Sequence, residues 1–154
     1  MDRKTSKIAV TLCFLVLTVG GGALIGYLTA PGPWFEGLAK PPFNPPAWLF
    51  APVWTVLYVL IGIAGARSFL RSPSGPAMQA WWVQLLLNFA WSPVFFSLQS
   101  IGVAFAIILA LLAAIIAYIQ VARRDDGTAA LLFVPYLAWV CFATVLNGAI
   151  LWLN

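Results

Sequence analysis

Polar and aromatic side chains recur at helical spacing inside otherwise apolar stretches of this chain. Gln84, Asn88 and Ser92 stand at i, i+4 and i+8, with Trp91 beside them. Trp139, Ala143 and Asn147 repeat that spacing, and Trp54 and Tyr58 are one turn apart. Residues three and four apart in a helix lie over one another on one face, so each set marks a stripe. Trp54, Trp91 and Trp139 fall deep within their segments and could line one cavity, with Asn88, Ser92 and Asn147 among them. An aromatic, mostly apolar cavity with a few polar groups suits a flat hydrophobic ligand. Core packing is the competing account of the same tryptophans, and helix-to-helix bonding that of the same amides.

The chemistry the chain lacks narrows the field. It has no histidine, and its four acids are Asp2, Glu36, Asp125 and Asp126, all at the terminus or between apolar segments. A buried general acid–base pair is therefore not available. Nor is a metal site of histidine and carboxylate, or a histidine ligand for haem iron. No cofactor and no metal are expected. A proton relay across a membrane normally uses Asp, Glu or His, which argues against a proton-coupled pump. Cys13 and Cys141 lie inside apolar segments and are expected to pack as small hydrophobes without pairing. Gly20-Gly21-Gly22 also falls inside such a segment and is not a nucleotide-binding loop. No residue is assigned a catalytic role; any chemistry would be photochemical or radical, with Trp54 and Trp139 as the candidates.

The elements that hold these residues follow from composition. Hydrophobic residues make up 63% of the 154 residues and charged residues 8%, too few charges to cover a soluble surface. The charges cluster, leaving uncharged stretches of the length that crosses a hydrocarbon core of about 30 Å as a helix. Spans are expected at 8–30, 48–70, 78–98, 102–122 and 129–153. The runs do not alternate as β-barrel strands would. The predicted fold is an all-α membrane protein, a single domain over 1–154 forming a bundle of five transmembrane helices. The first span is too long for the apolar part of a typical signal peptide. Lys and Arg set the orientation. With the N-terminus inside, Arg3, Lys4, Lys7, Arg67, Arg71, Arg123 and Arg124 lie inside and Lys40 alone lies outside. The formal net charge of +4 is thus a topology signal, and no nucleic-acid partner is expected.

Segments 71–77, 99–101 and 123–128 are short and make successive helices antiparallel neighbours. The 31–47 loop is different: it holds six prolines together with Trp34, Phe35, Leu38 and Phe43. Proline restricts the loop's freedom, and its apolar residues are expected to fold over the outer end of the bundle. Pro52, Pro93 and Pro135 are expected to kink their helices. Trp34, Trp48, Trp81, Trp82 and Trp152 lie near span ends, as an interfacial belt would. Gly102, Ala106, Ala110 and Ala114 recur every fourth residue, as do Gly22 and Gly26, and Gly62 and Ala66. Such spacing lets helix backbones approach closely, within the bundle by preference or across a dimer.

Three segments together resemble the TspO/MBR family, the tryptophan-rich sensory and translocator proteins also known as peripheral benzodiazepine receptors. They run from Trp34 through Pro52 and Trp54 to Tyr58, from Gln84 to Phe96, and from Pro135 to Asn147. The resemblance covers almost the whole chain. It implies a five-helix bundle in a membrane, expected here to be a bacterial cell membrane with the N-terminus cytoplasmic. It also implies a homodimer that binds porphyrins and benzodiazepine-type ligands, with roles in transport, stress sensing or light-dependent porphyrin breakdown. The family's pocket positions correspond to Phe35, Trp54, Trp91, Ser92, Trp139 and Ala143. With Tyr58, Asn88 and Asn147 from the stripes, these are the expected ligand-binding residues. Many members have Tyr at the position of Phe35. The sterol motif of animal members matches at Leu146 but has Gly148 and Trp152 where Tyr and Arg belong, so specific cholesterol binding is not expected. A porphyrin is expected among spans one, two, three and five, beneath the 31–47 loop, with its carboxylates near Lys40.

Overall fold

The computed structural model describes residues 3–154, with side chains from Ser6 onward. Asp2 and the Arg3 and Lys4 charges counted above lie outside that description. The described residues form helices, turns and loops with no strand. Lipid offers the backbone no hydrogen bonds, so apolar segments satisfy their own as helices. The first runs as α1 (Arg3–Leu15), a π-helical turn (Val16–Gly20) and α2 (Gly21–Leu28). A single-turn helix, α3 (Pro33–Glu36), lies in the following loop, which ends in a 3₁₀ turn at Ala47–Leu49. Then come α4 (Phe50–Arg71) and α5 (Pro76–Ser92), the latter passing into a π-helical segment at Pro93–Ser97. The chain finishes with α6 (Ile101–Asp125), α7 (Gly127–Leu132) and α8 (Val134–Leu153).

Among the described residues four helices are long and apolar enough to cross a membrane: Ser6–Leu28, Ala47–Arg71, Ile101–Asp125 and Gly127–Leu153. The α5 segment is a further helix of the same bundle. Around the bundle, α1 and α2 pack on α4, α4 on α7, α8 on α6, α6 on α5, and α5 back on α2. The prolines divide. Pro52 sits in the first turn of α4, where a missing donor is tolerated, so it does not act as the expected kink. Pro93 coincides with the change to π-helical bonding, and Pro135 follows the break at Phe133 between α7 and α8.

Close helix contact depends on two of the small-residue sets. A Cβ on Gly62 would meet Thr18, Leu15 and Phe14, and one on Gly22 would meet the Tyr58 ring. The Thr18 hydroxyl, in the π-helical turn, lies 2.8 Å from the Tyr58 carbonyl and ties the first helix to α4. Gly65 leaves room for the Trp81 indole, which is fully buried and donates to the Ile61 carbonyl at 2.9 Å. Trp81 is therefore a core residue and not part of an interfacial belt; the notch at Gly65 admits it. Trp48, Trp82 and Trp152 are exposed on the bundle surface. The small-residue stripe of α6 faces the other way from expectation. Ala114 is buried, but Gly102, Ala106 and Ala110 are exposed and do not pack inside the bundle. Cys13 and Cys141 are free and also exposed on the bundle surface, so they do not fill its core.

The end carrying Arg67, Arg71, Arg123 and Arg124 is pinned by Asp126. Its carboxylate accepts from Arg67 Nε and Nη2, both at 2.9 Å, and from the Ala129 N–H at 3.1 Å, capping α7. The Arg67 guanidinium holds the Asp126 carboxyl below the usual carboxylate range; burial works against this and the Ala129 N–H assists it. At the opposite end the 31–47 loop folds onto the bundle as expected. Trp34, Phe35 and Leu38 pack on a small cluster of Phe95, Ala104, Leu146 and Ile150, drawn from the ends of α5, α6 and α8.

Candidate functional site

The stripes converge inside the bundle as two linked groups. At its centre, α4 contributes Trp54 and Tyr58, α5 contributes Gln84 and Asn88, and α8 contributes Tyr136. The Tyr58 hydroxyl donates to Asn88 Oδ1 at 2.7 Å. Asn88 Nδ2 donates to the Tyr136 hydroxyl at 2.7 Å, which donates in turn to Gln84 Oε1 at 2.9 Å. Gln84, Asn88 and Tyr136 are buried, and Gln84 Nε2 has no partner among the described residues. A buried polar group is costly unless bonded, so this chain of contacts fixes the facing registers of α4, α5 and α8. The Trp54 ring lies 5.4 Å from that of Tyr58 and 6.4 Å from that of Tyr136.

The second group lies toward the loop. Trp91 stacks on Phe95 with centroids 5.1 Å apart, and its Nε1 donates to Asn147 Oδ1 at 3.0 Å. Asn147 Nδ2 reaches the Ile101 carbonyl at 3.3 Å, joining α8 to the start of α6. Phe35 meets Phe96 and Phe95 edge-on, at 5.3 and 6.0 Å. Lys40 Nζ lies over the Phe35 ring, 4.6 Å from its centroid. That ammonium also donates to the Glu36 and Leu38 carbonyls, both at 3.1 Å, so it staples the loop to itself. Ser92 shares a 2.6 Å hydrogen bond with Thr29, tying the end of the first helix to α5.

Trp139 is half-buried between Phe50, 6.0 Å away, and Phe142, 5.5 Å away, and the half-buried Ala143 lies one turn further along α8. Among the described residues the ring pairs join none of the three deep tryptophans to another; each rests on its own aromatic neighbours, one from each of α4, α5 and α8. Their indole N–H groups differ. Trp81 and Trp91 donate to protein acceptors, whereas the hydrogen bonds of the described residues include none from Trp54 or Trp139. A recess of about 220 Å³ exists, but at the opposite end of the bundle, lined by Ser68, Arg71, Ser72, Asp125 and Asp126 among others.

Asn88, Ser92 and Asn147 thus bond to protein partners and hold helices together. Phe35, Trp54, Tyr58, Trp91, Trp139 and Ala143 present the apolar surface. The sequence reading did not single out Tyr136, Thr29 and Phe95, which the bundle brings to these two groups. Tyr136 was legible, since it precedes Val140, Ala143 and Asn147 on one face of α8. Among the described residues no group of His, Cys, Asp and Glu could hold a metal ion.

The TspO/MBR family model matches residues 13–153. The chain is 37% identical over 146 residues to a tryptophan-rich sensory protein of Cereibacter sphaeroides, covering 95% of this chain and 92% of that one. It is 44% identical over 125 residues to the tryptophan-rich protein TspO of Archaeoglobus fulgidus, covering 79% and 80%. It is 36% identical over 140 residues to the translocator protein of Ovis aries, covering 86% and 82%.

Proposed function

The chain belongs to the TspO/MBR family of integral membrane proteins, and from that premise we propose that it is a receptor or carrier for a porphyrin-type tetrapyrrole. Relatives named as sensory and translocator proteins support a sensing or transport role. The porphyrin lies among α2, α4, α5 and α8, beneath the 31–47 loop, and benzodiazepine-type ligands take the same place. The observation that carries this is the half-buried pair Trp54 and Trp139. Trp54 packs beside the Tyr58 and Tyr136 rings and Trp139 between Phe50 and Phe142, and no hydrogen bond among the described residues uses either indole N–H. Burial of a flat ring contributes roughly 25 cal/mol per Å² of apolar area before ordering costs. Each stacked or edge-on indole adds about 0.5–1.5 kcal/mol.

In the proposed topology α5 with its π-helical end is the fifth span, and the N-terminus is cytoplasmic. Arg67, Arg71, Arg123 and Arg124 at one end against Lys40 at the other support that orientation, with a bacterial cell membrane as the setting. The exposed Gly102, Ala106 and Ala110 stripe of α6 supports a homodimer. Leu146, the matching residue of the sterol motif, is buried against the loop cluster, which supports weak or no specific cholesterol binding.

The test is titration of a metal-free porphyrin against tryptophan fluorescence in detergent or nanodiscs. Trp54→Phe and Trp139→Phe are expected to weaken binding several-fold each. Trp152→Phe, at a position 90% exposed, is expected to change little. Equal effects at all three sites would refute the pocket. Loss of porphyrin absorbance in light but not in dark, suppressed by the first two variants, would assign the site to photochemical breakdown instead.

A further inference from the structure

The 31–47 loop is held down by one side chain far away in sequence. Asn154, following α8, aligns its carboxamide with a single residue of the loop. The Ala39 N–H donates to Asn154 Oδ1 at 3.0 Å, and Asn154 Nδ2 donates to the Ala39 carbonyl at 2.9 Å. The same Nδ2 lies 2.8 Å from the Ile150 carbonyl, which anchors the side chain to α8. A primary carboxamide is the side-chain group that offers a donor and an acceptor in the geometry of a peptide, so it can close both bonds on one residue at once.

The contact also lies where it can control access. Ala39 is four residues beyond Phe35, and the short α3 turn couples them through the Gly37 N–H bond to Pro33 O and the Leu38 N–H bond to Phe35 O. Phe35 contacts the Lys40 ammonium and the Phe95 and Phe96 rings. A large flat ligand that enters past Phe35 from this end must open those contacts, and the clamp at Ala39 restrains the loop that carries them. The clamp is itself exposed to solvent. Water can therefore replace its hydrogen bonds, so release is cheap enough to be reversible.

We infer that Asn154 is a latch for the 31–47 loop and that opening this latch gates ligand exchange at the tryptophan site. The inference rests on the ligand site proposed above. A latch closed in both the free and bound states affects entry and exit alike. Weakening it raises the association and dissociation rates together and leaves the equilibrium constant nearly unchanged. A residue that merely shaped the pocket wall through Phe35 would raise the dissociation rate alone.

The experiment is stopped-flow tryptophan quenching by a metal-free dicarboxylic porphyrin, with hydrogen–deuterium exchange of residues 33–44 in the ligand-free protein. Asn154→Ala and Asn154→Asp are compared with the parent chain; the aspartate keeps the shape but cannot donate to the Ala39 carbonyl. Losing two hydrogen bonds of ordinary net strength corresponds to about tenfold. Both rates are expected to rise by about that factor in Asn154→Ala, which loses both bonds to Ala39, and by less in Asn154→Asp, which still accepts from the Ala39 N–H, with the equilibrium constant within twofold in each. Exchange in 33–44 should rise while that in α6 stays the same. A rise in dissociation rate alone, or parent-like rates and exchange, overturns the latch. If the parent chain shows no porphyrin binding, the proposed ligand is wrong, and the exchange measurement alone decides whether Asn154 holds the loop.

Discussion

Replacing Tyr136 by Phe removes one oxygen atom from the centre of the bundle and leaves its packing in place. The ring keeps its contacts with Phe133, 5.3 Å away, and Trp54, 6.4 Å away, so no cavity opens. What goes is the link between Asn88 Nδ2 and Gln84 Oε1, two hydrogen bonds of 2.7 and 2.9 Å. Gln84, fully buried and already without a partner at Nε2, then has none at either end. Side-chain hydrogen bonds between membrane helices average about 0.6 kcal/mol, with a maximum near 1.7. An unsatisfied buried group adds about 1–3 kcal/mol. The expected destabilisation is about 2–4 kcal/mol. Tyr58→Phe breaks one bond, that to Asn88 Oδ1, from a half-buried position, and should cost about 0.5–1 kcal/mol. The assay is reversible unfolding in mixed micelles with rising dodecyl sulfate, followed by helical circular dichroism. Adding Gln84→Leu to Tyr136→Phe should recover part of the loss, because it removes the unbonded amide. A Tyr136→Phe cost no greater than that of Tyr58→Phe, or no recovery with Gln84→Leu, would refute the account of the polar chain.

Three further outcomes follow from other parts of the structure. Reporters fused before Met1 and after Asn154 should lie on opposite sides of the membrane, and finding both on one side would remove the five-span topology. The Asp126 carboxyl is held below the usual range by Arg67, so its contribution is present above the unfolded-state value and is lost as pH falls through the lower folded value. Stability should therefore be flat near neutrality and fall in acid, by at most about 1 kcal/mol because Arg67 is 42% exposed. Asp126→Asn should remove that part of the acid dependence in unfolding curves. Gln99 is the one non-glycine described with a positive φ, 53°, in the turn before α6. Gln99→Gly relieves a left-handed backbone that costs a side chain about 1 kcal/mol, so it should leave the midpoint of unfolding unchanged or raise it, and a fall would refute the strain.

Helix positions and the stripes they carry were legible in the sequence because they depend on local quantities. Length and hydropathy decide what can lie in lipid. Helical periodicity alone puts Trp54 with Tyr58, Gln84 with Asn88, and Trp139 with Asn147. What each stripe meets was not local. Asn88 finds Tyr58 and Tyr136, 30 and 48 residues away, because α4, α5 and α8 meet inside the bundle. Trp81 reads as a belt residue by position and becomes core because Gly65 on another helix leaves a space of its shape. Gly102, Ala106 and Ala110 carry the same spacing as Gly62 and Ala66, yet one set faces out and the other in; spacing defines a face, and only the neighbouring helices decide where that face points. Ala39 and Asn154 stand 115 residues apart, with nothing in either to announce the other. Their pairing exists only once the bundle has brought the end of α8 beside the loop.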